Sequence, residues 1–224
     1  MFNGGIMTMG DNGKSEAPFD LSTAAQHQQQ PGPEEIATLH RRLEWQKRSI
    51  DRGLEYVPLD LATATIFVFV DGSFANNTDL SSPIGFVFLL ANEKVDDDRG
   101  TLEINGNIVH YSSTKSKRVT RSVLASKVHG MVAGADMAVA ISSTRRIITR
   151  RLGMPSTPTV MCTDSYSLHE CLVKLGTTQE KRLMIDIMAL RQSYERREPT
   201  EVRWIDGRDN PVDATTKRDP NPRV

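Results

Sequence analysis

The chain has almost no cysteine, no net charge and no long apolar run. Two cysteines in 224 residues, Cys162 and Cys171, exclude a disulfide framework and point to a reducing interior. Lys+Arg and Asp+Glu both number 28. That excludes a histone-like global cation and an acidic disordered chain. No stretch approaches the ~18–20 consecutive apolar residues of a membrane span. The start, MFNGGIMTMGDNGKSE, lacks a basic region followed by an apolar run, so no secretory signal is read there. An intracellular location, cytoplasmic or nuclear, is expected, with no membrane partner.

Hydrophobic residues make up 38% of the chain and charged ones 25%, enough for one core of ordinary size. Residues 1–33 contain five glycines, three prolines and the run Gln-His-Gln-Gln-Gln. They read as a disordered low-complexity tail. Residues 34–60 read as a linker with a helix over 34–52, whose apolar contacts are Ile36, Leu39, Leu43 and Trp45. A single domain is expected over 61–218, and 219–224 is a short tail.

Within the domain, Ile66-Phe67-Val68-Phe69-Val70 has the continuous apolar pattern of a strand buried on both faces. Residues 84–91 and 107–113 are two more strands, separated by a turn or loop over 93–106. A helix spans 120–143, capped by Thr120 or Ser122. A short strand follows at 159–163. Leu168, Cys171, Leu172 and Leu175 mark an amphipathic helix closed by Gly176. Residues 178–196 repeat the helical period, 201–205 form a last strand, and Asp209-Asn210-Pro211 opens a last helix. The order β-β-β-α-β-α-α-β-α describes an α/β domain. Its mixed five-stranded sheet is an antiparallel meander followed by parallel crossovers, flanked by helices. Cys162, Cys171, Met131, Met184 and Met188 read as core residues. His27, His40, His110, His129 and His169 show no zinc spacing with the cysteines.

Two aspartates, Asp71 and Asp164, stand where strands end, and Asp213 lies in the first turn of the last helix. Each has a plainer reading alone: a turn for Asp71-Gly-Ser, an N-cap for Asp164, a partner of the helix dipole for Asp213. Together they are more specific. Sites in α/β sheets gather at strand ends, and clustered carboxylates repel unless a cation lies between them. Hard oxygen ligands there suit Mg²⁺ or Mn²⁺. Two such ions about 4 Å apart can activate water and stabilise the leaving oxygen in phosphodiester cleavage.

The stretches VDGSFANN, SSTKSKRVTRSVLAS and NPVDATTK, with CTDSYSLHECLVKLG between the last two, resemble the ribonuclease H domain of copia-type LTR retrotransposon polyproteins. The resemblance covers roughly residues 39–218. It implies a ribonuclease H-like fold and, ancestrally, cleavage of the RNA strand of an RNA–DNA hybrid with two divalent ions. It also implies the reverse transcriptase region of the parent polyprotein as a partner. Three of the four acids that the family uses as catalytic and metal-holding residues match Asp71, Asp164 and Asp213. The remaining one should be a glutamate in a Ser-Val-Leu-Ala-Ser-Glu context, and here it is Lys127. A protonated lysine cannot ligate a metal, so weak metal binding and impaired cleavage are expected. Asp136, nine residues on, is about 13–14 Å away along the helix and on the opposite side. Glu170 lies on another helix. The loop 206–212 lacks the histidine found there in some members. The Asp-Asp-Glu spacing of integrases is absent. A catalytically dead nucleic-acid-binding remnant is the alternative reading.

Charge is unevenly spread. Residues 114–151 hold nine Lys/Arg against Asp136, a pattern suited to tracking phosphates. Lys115, Lys117, Arg118 and Arg121 are candidate substrate contacts beside the acids, whereas 145–151 also reads as a solvated helix end. Ser73 and Asn210 are candidate contacts to a nucleic-acid backbone or sugar hydroxyl, with turn and cap roles as their plainer readings.

Overall fold

The computed structural model describes residues 6–9, 24–25, 31–51, 56–75, 80–96 and 101–217. Its sheet has six strands: β1 (Ile6–Met9), β2 (Thr65–Gly72), β3 (Pro83–Asp96), β4 (Thr101–Lys115), β5 (Thr159–Thr163) and β6 (Glu201–Trp204). The spatial order is β1-β4-β3-β2-β5-β6. Strands β2, β3 and β4 form an antiparallel meander. β5 joins β2, and β6 joins β5, both in parallel. The mixed five-stranded sheet expected of a ribonuclease H-like chain is therefore present.

Two departures concern its edge. β1 pairs in parallel with β4, Ile6 opposite Glu103, within a stretch where the sequence predicts no strand. The β3–β4 hairpin also runs much further than expected, with pairing continuing to Asp96 opposite Thr101. The residues 93–106, read as a loop for their aspartates and glycines, are strand at 93–96 and 101–106. Cross-strand partners decided the outcome over local turn propensity. The rest of the 1–33 reading, apart from 24–25 and 31–33, and the 219–224 tail lie outside the described residues.

Helices flank this sheet: α1 (Pro33–Arg48), α2 (Val123–Arg151), α3 (Tyr166–Val173), α4 (Met184–Glu195) and the short α5 (Asp213–Thr216). α1 buries no residue; Ile36 and Leu43 are exposed. After it, the chain is tied to the sheet by two asparagines that imitate a strand partner. Asn107 accepts from Val57 N at 2.8 Å and donates to Val57 O at 2.9 Å. Asn92 accepts from Asp60 N at 2.9 Å.

β2 is the spine. Its eight residues are all buried, because β3 and β5 cover its edges and both faces are packed. Ile66, Val68 and Val70 face α2, α3 and α4 through Met131, Leu168 and Ile187. Phe67 and Phe69 face the other side with Leu89, Cys162 and Val212. Cys162 and Cys171 are both free and buried, and burial pushes the Cys162 thiol up to about 12. Met131 is core, but Met188, expected there too, is exposed.

Ser122 is the N-cap of α2, accepting from Ala125 N. The helix runs eight residues past the expected end at 143, to Arg151. α3 ends at Val173, and the left-handed residue beyond it is Leu175 (φ 57) rather than Gly176. Gly176 N still closes back on Glu170 O at 3.1 Å. The expected last helix is split. A 3₁₀ turn, Gly207–Asp209, precedes Pro211, and α5 begins only at Asp213.

Candidate active site

The three aspartates converge. Asp71 is the penultimate residue of β2, Asp164 directly follows β5, and Asp213 opens α5. β2 and β5 are parallel neighbours in register from Ile66–Thr159 to Val70–Thr163, so the next residues on each, Asp71 and Asp164, emerge side by side. α5 reaches them because Gly85, opposite Asp71 on β3, leaves room. A Cβ at Gly85 would stand 2.9 Å from Thr216 Cγ2 and 3.0 Å from Val212 Cγ1. One carboxylate oxygen from each aspartate lies within 4.8 Å of the others. The turn, cap and dipole readings each miss part of this. Asp71 is strand, and the N-cap of α3 is Ser165, which accepts from Leu168 N at 3.3 Å.

Lys127 completes the cluster. α2 packs closely on β2: a Cβ at Gly130 would meet the Asp71 carbonyl oxygen at 2.5 Å. Ser126 Oγ donates to Gly72 O at 2.9 Å. That approach delivers the Lys127 ammonium onto two carboxylates. Nζ donates to Asp71 Oδ1 at 2.5 Å and to Asp164 Oδ1 and Oδ2 at 2.7 and 2.8 Å. Burial opposes the charge on Lys127, but Asp71 and Asp164 outweigh it and hold its pKa above the ordinary lysine value. Burial alone would raise the Asp71 pKa. The Lys127 charge, with hydrogen bonds from Lys127 and Thr216, instead holds it below the usual carboxylate range. Asp213 goes the other way. Burial raises it, Lys217 opposes through a hydrogen bond and its charge, and Asp71 and Asp164 add to the rise.

Sequence reasoning missed three supporting groups. Thr216 Oγ1 donates to Asp71 Oδ2. Lys217 Nζ donates to both Asp213 oxygens at 2.8 Å; the i,i+4 spacing was the available signal. Trp204 Nε1 donates to the Asp164 carbonyl at 3.1 Å, and Tyr166 packs edge-on against its ring.

The donor set alone suits a hard cation: three carboxylates close together. The whole set does not. A Mg²⁺ ion needs oxygen contacts of about 2.0–2.1 Å, and the Lys127 ammonium already spans Asp71 and Asp164. Among the described residues, Asp71, Asp164 and Asp213 are the one group of three or more His, Cys, Asp or Glu residues placed to hold a metal ion. Glu170 pairs with Lys174 at 3.2 Å. Asp136 lines a cavity of about 540 Å³ between α2, α4 and the start of β5. Five residues of rise along β5, at ~3.3 Å each, separate Thr159 in that cavity from Asp164.

The candidate substrate contacts divide. Lys115, Lys117, Arg118 and Arg121 are exposed on the segment from β4 into α2. Arg118 is held by Asp186 of α4 at 2.5 Å. Ser73 is half-buried, with its N–H on Pro83 O at 3.0 Å. Asn210 is fully buried. Its amide donates to Val70 O at 3.3 Å and accepts from Val212 N at 3.2 Å, so it braces the turn into α5.

No family model and no curated protein matches the chain. Among solved structures, it is similar to the N-terminal RNase H domain of a Mycobacterium tuberculosis protein, solved as a fusion with maltose-binding protein. The identity there is 16% and the TM-score 0.43, over 68% of this chain and 91% of that one. It is also similar to LC11-RNase H1 in complex with an RNA/DNA hybrid. The identity is 12% and the TM-score 0.43, over 71% and 91% of the two chains. A third is the foamy viral protease–reverse transcriptase in complex with an RNA/DNA hybrid. There the identity is 14% and the TM-score 0.39, over 70% of this chain and 19% of that one. Among the described residues, no helix is long and apolar enough to cross a membrane.

Proposed function

We propose that the chain is a ribonuclease H-like domain of copia-type retroelement descent that holds an RNA–DNA hybrid and is impaired in cutting it. The observation that carries this reading is the Lys127 ammonium, donating to both Asp71 and Asp164 in the middle of the acidic cluster. Asp71, Asp164 and Asp213 are the remaining members of a set that, with a glutamate in place of Lys127, would hold Mg²⁺ or Mn²⁺. With the lysine, no hydrolytic step is assigned to them. Descent is supported by the VDGSFANN, SSTKSKRVTRSVLAS and NPVDATTK stretches, which also suggest an ancestral reverse transcriptase partner.

Binding needs none of the missing chemistry. Lys117 and Arg121 are exposed on the segment that leads into the helix carrying Lys127. Cations so placed meet phosphates of a duplex lying across the carboxylates, and such contacts position a backbone without reading its sequence.

The test is a labelled RNA–DNA hybrid incubated with the native chain in Mg²⁺ and in Mn²⁺, with Asp71→Asn as the blank. Retention of the hybrid on the protein, with no cleavage above the blank, is the expected result. Cleavage by the native chain above the blank would contradict impairment. Failure to retain the hybrid at low salt would remove the binding half of the reading.

A further inference from the structure

We infer that Lys127 is the resident cation of this site: a chain-borne ammonium stands where a divalent ion would have to bind, and the domain keeps its fold without metal. The inference rests on reading the three aspartates as a former metal site, but it concerns metal and stability rather than hybrids. Asp71 is 0% exposed and Asp213 3%. Carboxylates so buried and so close repel one another and need a compensating charge. The structure supplies it from side chains. An ammonium has three N–H donors, and Lys127 Nζ faces three oxygens of Asp71 and Asp164. The other Asp71 oxygen accepts from Thr216. Lys217 occupies both oxygens of Asp213. Three carboxylates are thus met by two ammoniums.

The lysine is also not free to swing aside. Its side chain is 13% exposed. Its backbone is pinned to β2 by Ser126 Oγ on Gly72 O and by the close approach at Gly130. A divalent ion would have to expel a tethered ammonium into protein, against the attraction of two carboxylates.

The experiment is thermal unfolding of the full chain in chelator and in millimolar Mg²⁺ or Mn²⁺, with Mn²⁺ binding followed by electron paramagnetic resonance. The native chain is compared with Lys127→Met and Lys127→Glu. The native midpoint is expected to be the same in chelator and in metal, with no site-bound Mn²⁺. Lys127→Met should lose about 10 °C in chelator, the order expected when one partner of a buried ion pair is removed, and recover part of it in Mn²⁺. Lys127→Glu should bind Mn²⁺, and binding should vanish with Asp71→Asn added. A native chain that binds Mn²⁺ through Asp71, or whose midpoint rises with metal, would overturn the inference. So would a Lys127→Met chain as stable as the native one in chelator. If neither variant folds, the two native measurements decide alone. Loss of hybrid binding by the native chain would bear on the functional reading and leave this result standing.

Discussion

At the scale of the residue, the site is governed by one charge, the Lys127 ammonium. A glutamate at position 127 would give four carboxylates; Lys127 makes an ion pair of two of them. The shifts of Asp71 and Lys127 turn this into a pH prediction. The folded-state pKa of Lys127 lies above 10.5. Its contribution to stability is complete below 10.5 and is lost as pH rises from there through the folded value. Asp71 lies below 3.8, so its contribution is present above 3.8 and is lost as pH falls through its folded value. Denaturant titrations across pH should therefore show stability falling at both ends. In Lys127→Met the alkaline fall should be smaller; an alkaline limb unchanged by the substitution would count against the ion pair. The residues involved were readable in advance, but the bridging of Asp71 and Asp164 by Lys127 was not. Asp71, Asp164 and Asp213 stood at strand ends or in a first turn, and Lys127 occupied a recognisable position. Asn210 keeps its plainer reading as a turn residue, its Oδ1 accepting from Val212 N two residues on. What was not readable was that its amide would also donate to Val70 O, a fact of tertiary packing that no local pattern carries.

At the scale of the element, the site depends on two close approaches, α2 on β2 and α5 on β3, each made over a glycine. Gly130→Ala places a methyl against the Asp71 carbonyl. We expect a net loss of about 1–3 kcal/mol, because overpacking outweighs the ~1 kcal/mol gain in helix propensity. Urea unfolding would measure it, and a stabilised Gly130→Ala would show that α2 can lift without cost. Ser122→Ala removes the N-cap of α2, with about 1 kcal/mol expected from the same measurement. Helices α2, α3 and α4 and the two buried strands β2 and β5 were legible because their apolar patterns are strong. The hairpin end at 93–96 and 101–106 was not, since Asp96 and Gly106 carry turn signals that pairing with the opposite strand overrides. β1 is four residues in a glycine-rich stretch and is specified by its neighbour β4. Leu175, at φ 57, took the left-handed position that Gly176 was expected to fill.

At the scale of the molecule, zero net charge conceals a polar arrangement. The exposed cations Lys117 and Arg121 precede the helix that carries Lys127, and Lys127 and Lys217 together offset two of the three carboxylate charges, so on the proposed reading hybrid affinity should fall with salt as phosphate contacts predict. Replacing Lys117 and Arg121 with Gln should lower the slope of log affinity against log salt by about 2. Arg118→Gln should change it less, because its guanidinium is held by Asp186. Filter binding over a salt series separates the two, and equal slopes for all variants would place the nucleic acid elsewhere.

The central claim is that a sound ribonuclease H-like scaffold is disarmed at one position. The most direct measurement is RNA–DNA hybrid cleavage by Lys127→Glu, with the native chain beside it and Lys127→Glu/Asp71→Asn as the blank, in Mg²⁺ and Mn²⁺. Cleavage by Lys127→Glu alone is the predicted result. A folded Lys127→Glu that binds the hybrid and cuts no more than the blank would contradict it.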